Sequence, residues 1–249
     1  MPRIAIHWFR RDLRLSDNTA LFAASSAAEQ VIPVYILSTW KGEHGWTGAK
    51  RQQFLCGGIE SLSRNLESIG SRLIIRAGQA VDELEKLLRE TKAEALYFNS
   101  DPDPFGKAME IQVIAMCERL GVSCHRHHDV SMHRPEQVLT GEGKPYRVYT
   151  PYSRNWLALP NPPVLPRVKS LGSLASPDVA SLPLPTIAHW GLTLPADAQL
   201  VVAGERAAHE RMTAFLRDGA LASYGENRNL PAGTHNSCLS QDLRFGLLS

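Results

Sequence analysis

The 249-residue chain carries 27 Lys and Arg against 25 Asp and Glu, a formal net charge of +2, with 43% hydrophobic and 21% charged residues. That balance suits a globular protein with a sizeable core and excludes a chain drawn to nucleic acid by overall charge alone. No apolar stretch is long enough to span a membrane, and Arg10 and Arg11 interrupt the only early apolar run. Cys56, Cys117, Cys124 and Cys238 form no CxxC pattern, so a cytoplasmic protein with reduced, mostly buried thiols is expected.

Residues 4–9 form a short apolar run of the kind that makes a strand buried on both faces. The run breaks into Arg10, Arg11, Asp12 and Arg14 and closes on Ser16, Asp17 and Asn18. Those three are good helix N-caps before an alanine-rich helical run at 19–28. In an open parallel sheet the charged loop lies on the edge where ligands bind. Its arginines suit phosphate or the acidic side chains of a second domain, and a solvated basic loop is the plain alternative.

Residues 31–37 read as a second strand, followed by a loop with Trp40, Gly42, Gly45, Trp46 and Gly48. Phe54, Leu55, Ile59, Leu62, Leu66 and Ile69 then recur at helical spacing, predicting an amphipathic helix over 49–69. Strands are expected at 72–76, 95–99 and 122–126, with helices between them and a turn at Asp101-Pro-Asp-Pro104. The fold class is therefore α/β: a five-stranded, parallel, Rossmann-like sheet with helices on both faces, built from residues 1–130. No GxGxxG follows the first strand, and periodicity does not give the strand order. Residues 131–200 read as a long connection, proline-rich from Leu159 to Pro195. Residues 201–249 regain helical spacing, with Ala208, Met212, Phe215 and Leu216 on one face of a helix over 204–221.

Trp8-Phe9-Arg10-Arg11-Asp12-Leu13-Arg14-Leu15-Ser16-Asp17-Asn18 resembles the opening signature of the DNA photolyase and cryptochrome family. Gly141-Glu-Gly-Lys-Pro-Tyr146 and the run from Val148 to Trp156 resemble it at matching positions. The stretch from Tyr224 to Gly246 resembles the start of the family's all-helical flavin-binding domain. There a tyrosine, a Thr-Ser pair and a Leu-Ser pair receive the diphosphate of FAD. Tyr224, Asn236, Ser237, Leu239 and Ser240 fall on those positions, with departures at His235, where glycine is usual, and Asn236, where threonine is usual. Asparagine can still donate to a phosphate oxygen.

The resemblance implies the strand order 3-2-1-4-5 and the amino-terminal half of a deoxyribodipyrimidine photolyase. Such a monomeric flavoenzyme flips a pyrimidine dimer out of ultraviolet-damaged DNA and splits its cyclobutane ring with an electron from excited, reduced FAD. A cryptochrome-type blue-light photoreceptor without repair activity is the alternative, and a stand-alone nucleotide-binding module a third. The matched half holds no catalytic residue and no metal. The chain alone, whether fragment or truncated product, is expected to be inactive, to release FAD, and to leave residues 224–249 without a partner to pack on.

The resemblance also implies a light-harvesting antenna at the sheet edge, held by Ile36, Leu37, Arg51, Phe54, Asp101 and Asp103. Folate-type members place Asn-Glu where Phe105-Gly106 stands here, so a deazaflavin-like antenna is favoured over folate. The plain alternative is that Asp101 and Asp103 merely cap the next helix. Arg154 and Arg228 are candidates for phosphate contacts to DNA or flavin, or for surface salt bridges. His125, His127, His128 and His133 lack a matching carboxylate or thiol ligand and read as a strand end. Trp8 reads as core.

Overall fold

The computed structural model describes residues 2–41, 47–172, 179–217, 219–230 and 236–249. Gly42, Gly45, Trp46 and His235 lie outside the described residues. Five strands, β1 (Ile4–Phe9), β2 (Gln30–Leu37), β3 (Ile74–Ala77), β4 (Ala95–Asn99) and β5 (Ser123–His127), pair in parallel in the order β3-β2-β1-β4-β5. This is the order the resemblance implies. Helices α1 (Thr19–Ala27), α2 (Ala49–Glu67), α3 (Ala80–Thr91) and α4 (Pro104–Leu120) make the crossovers.

Successive strand side chains alternate between two cores. Ala5, Phe9, Val31, Ile75, Ala95 and Tyr97 pack with α1 and α2, while Ile6, Trp8, Ile32, Val34, Leu96 and Phe98 pack with α3 and α4. The inner strands are continuously apolar because both faces are covered. Ser123-Cys-His-Arg-His127 of β5 is polar because this strand lies at an edge. β3 starts two residues later than expected, where Ile74 meets Val34, and Arg72 instead donates to the carbonyl of Val179 at 2.7 Å.

Beyond the sheet come α5 (Tyr149–Ala158), α6 (Glu205–Arg217), α7 (Tyr224–Asn227) and α8 (Ser240–Phe245). The proline-rich connection is bonded to the sheet. Leu182 N donates to Ile75 O at 2.8 Å, and Ile75 N donates to Ser181 Oγ at 2.9 Å, so the connection covers the β3 edge. Val31 N donates to Leu171 O at 2.8 Å, and Val168, Leu171, Trp190 and Leu192 join the α1/α2 core.

Contrary to the expectation that residues 224–249 lack a partner, the end of the chain packs on the α1/α2 core. Leu247 and Leu248 are buried in the α1/α2 core. Leu13 N donates to Phe245 O at 3.2 Å, and buried Asp242 pairs with Arg211. Gly246 has φ +64°, and a Cβ there would stand 1.9 Å from Arg11 O. Only glycine permits this approach. Of the thiols, Cys56 and Cys117 are buried, Cys124 is half-buried and Cys238 is exposed. Burial pushes Cys56 up to about 11.

Candidate functional site

The loop between β1 and α1 is not a solvated basic loop, and the amides of Leu15 and Ser16 donate to buried Glu205 of α6 at 3.2 and 3.0 Å. The loop's arginines meet carboxylates at the carboxyl edge of the sheet. Arg14, 2% exposed, donates to Asp129 Oδ2 at 2.7 Å and to the carbonyls of Ser16, Asp17 and Gly246. The other oxygen of Asp129 accepts from Thr19 N and Thr19 Oγ1, both at 3.1 Å. Arg10 pairs with buried Glu110 at 2.6 Å, its guanidinium 4.7 Å from the Trp8 ring centroid. Arg11 pairs with Asp101 at 2.9 Å and donates to Arg244 O at 3.3 Å.

Asp12 sits at the centre of a buried polar knot. It accepts from Arg10 N at 2.7 Å, Asn99 Nδ2 at 2.7 Å and Asn18 Nδ2 at 3.1 Å. Asn18 also caps α1, accepting from Leu21 N at 3.1 Å. His7 Nε2 stands 3.5 Å from Asp12 Oδ2. Burial alone would raise the Asp12 carboxyl, but His7, the Arg10 amide and Asn99 outweigh it and hold the carboxyl below its ordinary value. The knot therefore fixes the loop.

Two cavities open beside this loop. The first, of about 490 Å³, lies between the ends of β1 and β2 and the starts of α3 and α4. Trp8, Ile36, Trp40, Phe105 and Met109 give it apolar walls, and Arg11 and Asp101 a charged side. Asp101 offers Oδ1 to Arg11 and to Asp103 N, and its Oδ2 has no hydrogen bond among the described residues. Gly106 lies against Asp101, where a Cβ would come within 2.5 Å of the Asp101 Cβ.

The second cavity, of about 610 Å³, lies between the start of α2, residues 199–203 and α8. Lys50, Arg51 and Arg244 line it with Phe54, Phe245 and Ser240, and among the described residues no carboxylate lines it. Burial, then Arg11 and Arg51, lowers the pKa of Arg244, as crowding of cations requires. The cavities share no lining residue, and the Arg11–Arg244 hydrogen bond runs between them.

The expected antenna residues are thus divided. Ile36 and Asp101 line the first cavity, and Arg51 and Phe54 the second. Leu37 is 2% exposed and belongs to the core, while Asp103 caps α4, accepting from Gly106 N at 2.7 Å. Trp40, Met109 and Arg244 line these cavities without a motif in the sequence that marks them as site residues. The signal available for Arg244 was a lone cation in an otherwise unremarkable helical run.

The sequence model of the DNA photolyase family matches residues 5–169, which spans the sheet, the knot and the first cavity. The chain belongs to the DNA photolyase family. An uncharacterized 31.6 kDa protein of Synechococcus sp. is 31% identical over 98% of this chain and 85% of its own length. A deoxyribodipyrimidine photo-lyase of another Synechococcus strain is 33% identical over 98% of this chain and 51% of its own. The crystal structure of a class III photolyase from Agrobacterium tumefaciens superposes with a TM-score of 0.86 at 33% identity, covering 100% of this chain and 52% of that one. Proteins named cryptochromes match as well. The chain thus spans about half the length of the photolyases it matches, and its fold is that of their amino-terminal domain.

The positions at which the resemblance leads one to expect flavin contacts lie in residues 224–240. Tyr224 opens α7 and is 38% exposed, meeting Phe215 edge-on at 6.2 Å. Asn236 is exposed, Ser237 half-buried, and Leu239 packs on the α1/α2 core directly before α8. Ser240 lines the second cavity, the one that holds Arg51 and Phe54. Arg154 on α5 and Arg228 after α7 are both exposed, and neither has a salt bridge among the described residues. His125 and His127 stack on Tyr97 at 4.4 and 6.1 Å, and His133 packs edge-on against Trp156 at 4.9 Å. Burial, with His125, His7 and Arg134 nearby, lowers the pKa of His127.

Proposed function

We propose that this chain is the amino-terminal, light-harvesting part of a photolyase that splits cyclobutane pyrimidine dimers in ultraviolet-damaged DNA. The observation that carries the reading is the cleft at the carboxyl edge of the sheet. Its walls are aromatic and aliphatic, with a free carboxylate oxygen on Asp101 and cations close by, in a chain whose relatives include proteins named photolyases. Such a slot suits a flat heteroaromatic with a polar edge and an acidic tail.

A deazaflavin-like antenna fits these residues better than folate, because Phe105-Gly106 stands at the Asn-Glu position of folate-type members. Trp8, Ile36 and Met109 would hold the ring system, and Asp101 Oδ2 would accept a hydrogen bond from its edge. Arg51 and Arg244, across the Arg11 boundary, would attract the acidic tail. When bound, the antenna supplies absorbed light energy to the catalytic flavin, which supplies the electron for ring cleavage. Tyr224, Asn236, Ser237, Leu239 and Ser240 would hold part of the FAD diphosphate, and exposed Arg154 and Arg228 would contact DNA phosphate. The cryptochrome reading shares the scaffold and is supported by the cryptochromes among the matches.

Titration of residues 1–249 with a deazaflavin and with a folate, followed by fluorescence, tests the reading. The deazaflavin is expected to bind more tightly. Arg51→Ala is expected to weaken it about ten- to a hundredfold, the loss of one charge-assisted contact. No uptake of either compound, or unchanged binding in Arg51→Ala and Asp101→Asn together, would sink it.

A further inference from the structure

Trp40 forms one wall of the sheet-edge cleft, on the short loop that leaves β2. Behind it stands Trp190, delivered by the proline-rich connection 150 positions later in the chain. The two indoles stack with centroids 5.7 Å apart and planes inclined by 23°. Trp190 is 1% exposed, so it does not reach the cleft itself. Its Nε1 donates to Ser38 Oγ at 3.2 Å. The neighbouring His189 meets the Trp190 ring edge-on at 4.9 Å, and its Nε2 lies 3.1 Å from Ser38 O. Lys41 Nζ donates to the carbonyl of His189. The loop is therefore gripped on both sides of Trp40, at Ser38 and at Lys41, by one short segment of the connection.

We propose that Trp190 is a positioning residue for the cleft, holding Trp40 as a rigid aromatic wall that selects a flat, electron-poor heteroaromatic ligand. The inference rests on the antenna reading for its ligand class, but the positioning is a property of the ligand-free protein. A buried indole with its N–H satisfied is a rigid backing, because it loses both packing and a hydrogen bond if it moves. A wall held this way takes up a planar ring without first being ordered, which lowers the entropic cost of binding. The electron-rich face of Trp40 then favours electron-poor ring systems over aliphatic ligands of equal size.

The test uses residues 1–249 with riboflavin as the probe, titrated by calorimetry, and the far-ultraviolet exciton signal of the stacked indoles read without ligand. Trp190→Leu is expected to abolish the exciton signal and weaken riboflavin by about three- to tenfold, although residue 190 never touches the ligand. Trp190→Phe restores a stacked ring and is expected to recover most of the affinity, which a merely structural defect would not do. Thermal melting identifies any variant that fails to fold. In that case Ser38→Ala, which releases the indole N–H and leaves Trp190 packed, is expected to weaken riboflavin by about two- to threefold. A folded Trp190→Leu protein that binds like wild type overturns the inference and leaves the antenna reading standing. A wild type that takes up no riboflavin overturns selection of flavin-type rings. The positioning role is then decided by the exciton signal, which must be present in wild type and absent from both Trp190→Leu and Trp40→Leu.

Discussion

Asp12 shows how much of the photolyase signature is devoted to holding itself. Its carboxylate accepts from one backbone and two side-chain donors in a fully buried place. Removing it leaves the Arg10 amide and one N–H of Asn99 unpaired, while Asn18 Nδ2 keeps the carbonyls of Asp12 and Arg14. Asp12→Ala is expected to cost about 3 kcal/mol in urea denaturation, the usual penalty for buried partners left unpaired. The pH dependence follows from the direction of the shift. The folded carboxyl lies below its ordinary value of 3.8, so its contribution is complete above that value and is lost as pH falls through the folded pKa. The stability gap between wild type and Asp12→Asn should therefore stay constant from neutral pH down to about pH 4 and narrow below it. A gap that widens in acid would contradict this assignment. Arg14 was equally legible as a charge and equally illegible as a bond. Its partner Asp129 lies 115 positions away.

Among the elements, α8 owes its place to the turn at Gly246 together with the Arg211–Asp242 pair. Gly246 turns the chain in the left-handed region with no room for a side chain against Arg11 O, and Leu247 and Leu248 then enter the core. Gly246→Ala combines backbone strain with a direct clash and is expected to destabilise by at least about 2 kcal/mol. Hydrogen exchange should show the loss confined to residues 240–248 and the β1–α1 loop, with the sheet still protected. Unchanged protection of α8 would mean that the contact is dispensable. The same docking brings Ser240, Arg244 and Phe245 to the second cavity, so this variant should also weaken any anionic ligand held there.

One core joins residues on both sides of the expected boundary at residue 130. Leu171, Trp190, Leu192, Leu247 and Leu248 are buried with α1 and α2, each worth about 1.5–3 kcal/mol if fully removed from water. Their loss would consume the stability of an ordinary domain. Residues 1–130 expressed alone are therefore expected to lack the near-ultraviolet circular dichroism of a fixed core and to melt without cooperativity, while residues 1–249 melt in one transition. A cooperative, native-like 1–130 fragment would show that the connection and tail are accessories.

Local chemistry settled the repeating strands and helices of this protein. Short continuous apolar runs, helical apolar spacing, N-caps at Asn18 and Asp103 and the left-handed C-cap at Gly121 each report a choice made within a few residues. The strand order came from the family signature at 8–18, as did the expectation of flavin contacts from the one at 224–246, because neither is encoded in periodicity. Tertiary structure alone decided which arginine meets which carboxylate, that Arg51 and Phe54 fall in a different cavity from Ile36 and Asp101, and that the proline-rich connection closes the β3 edge and backs Trp40 with Trp190. A residue's neighbours in sequence fix which way its side chain faces. What it touches there is fixed by packing of segments far apart in the chain, and no local pattern records that choice.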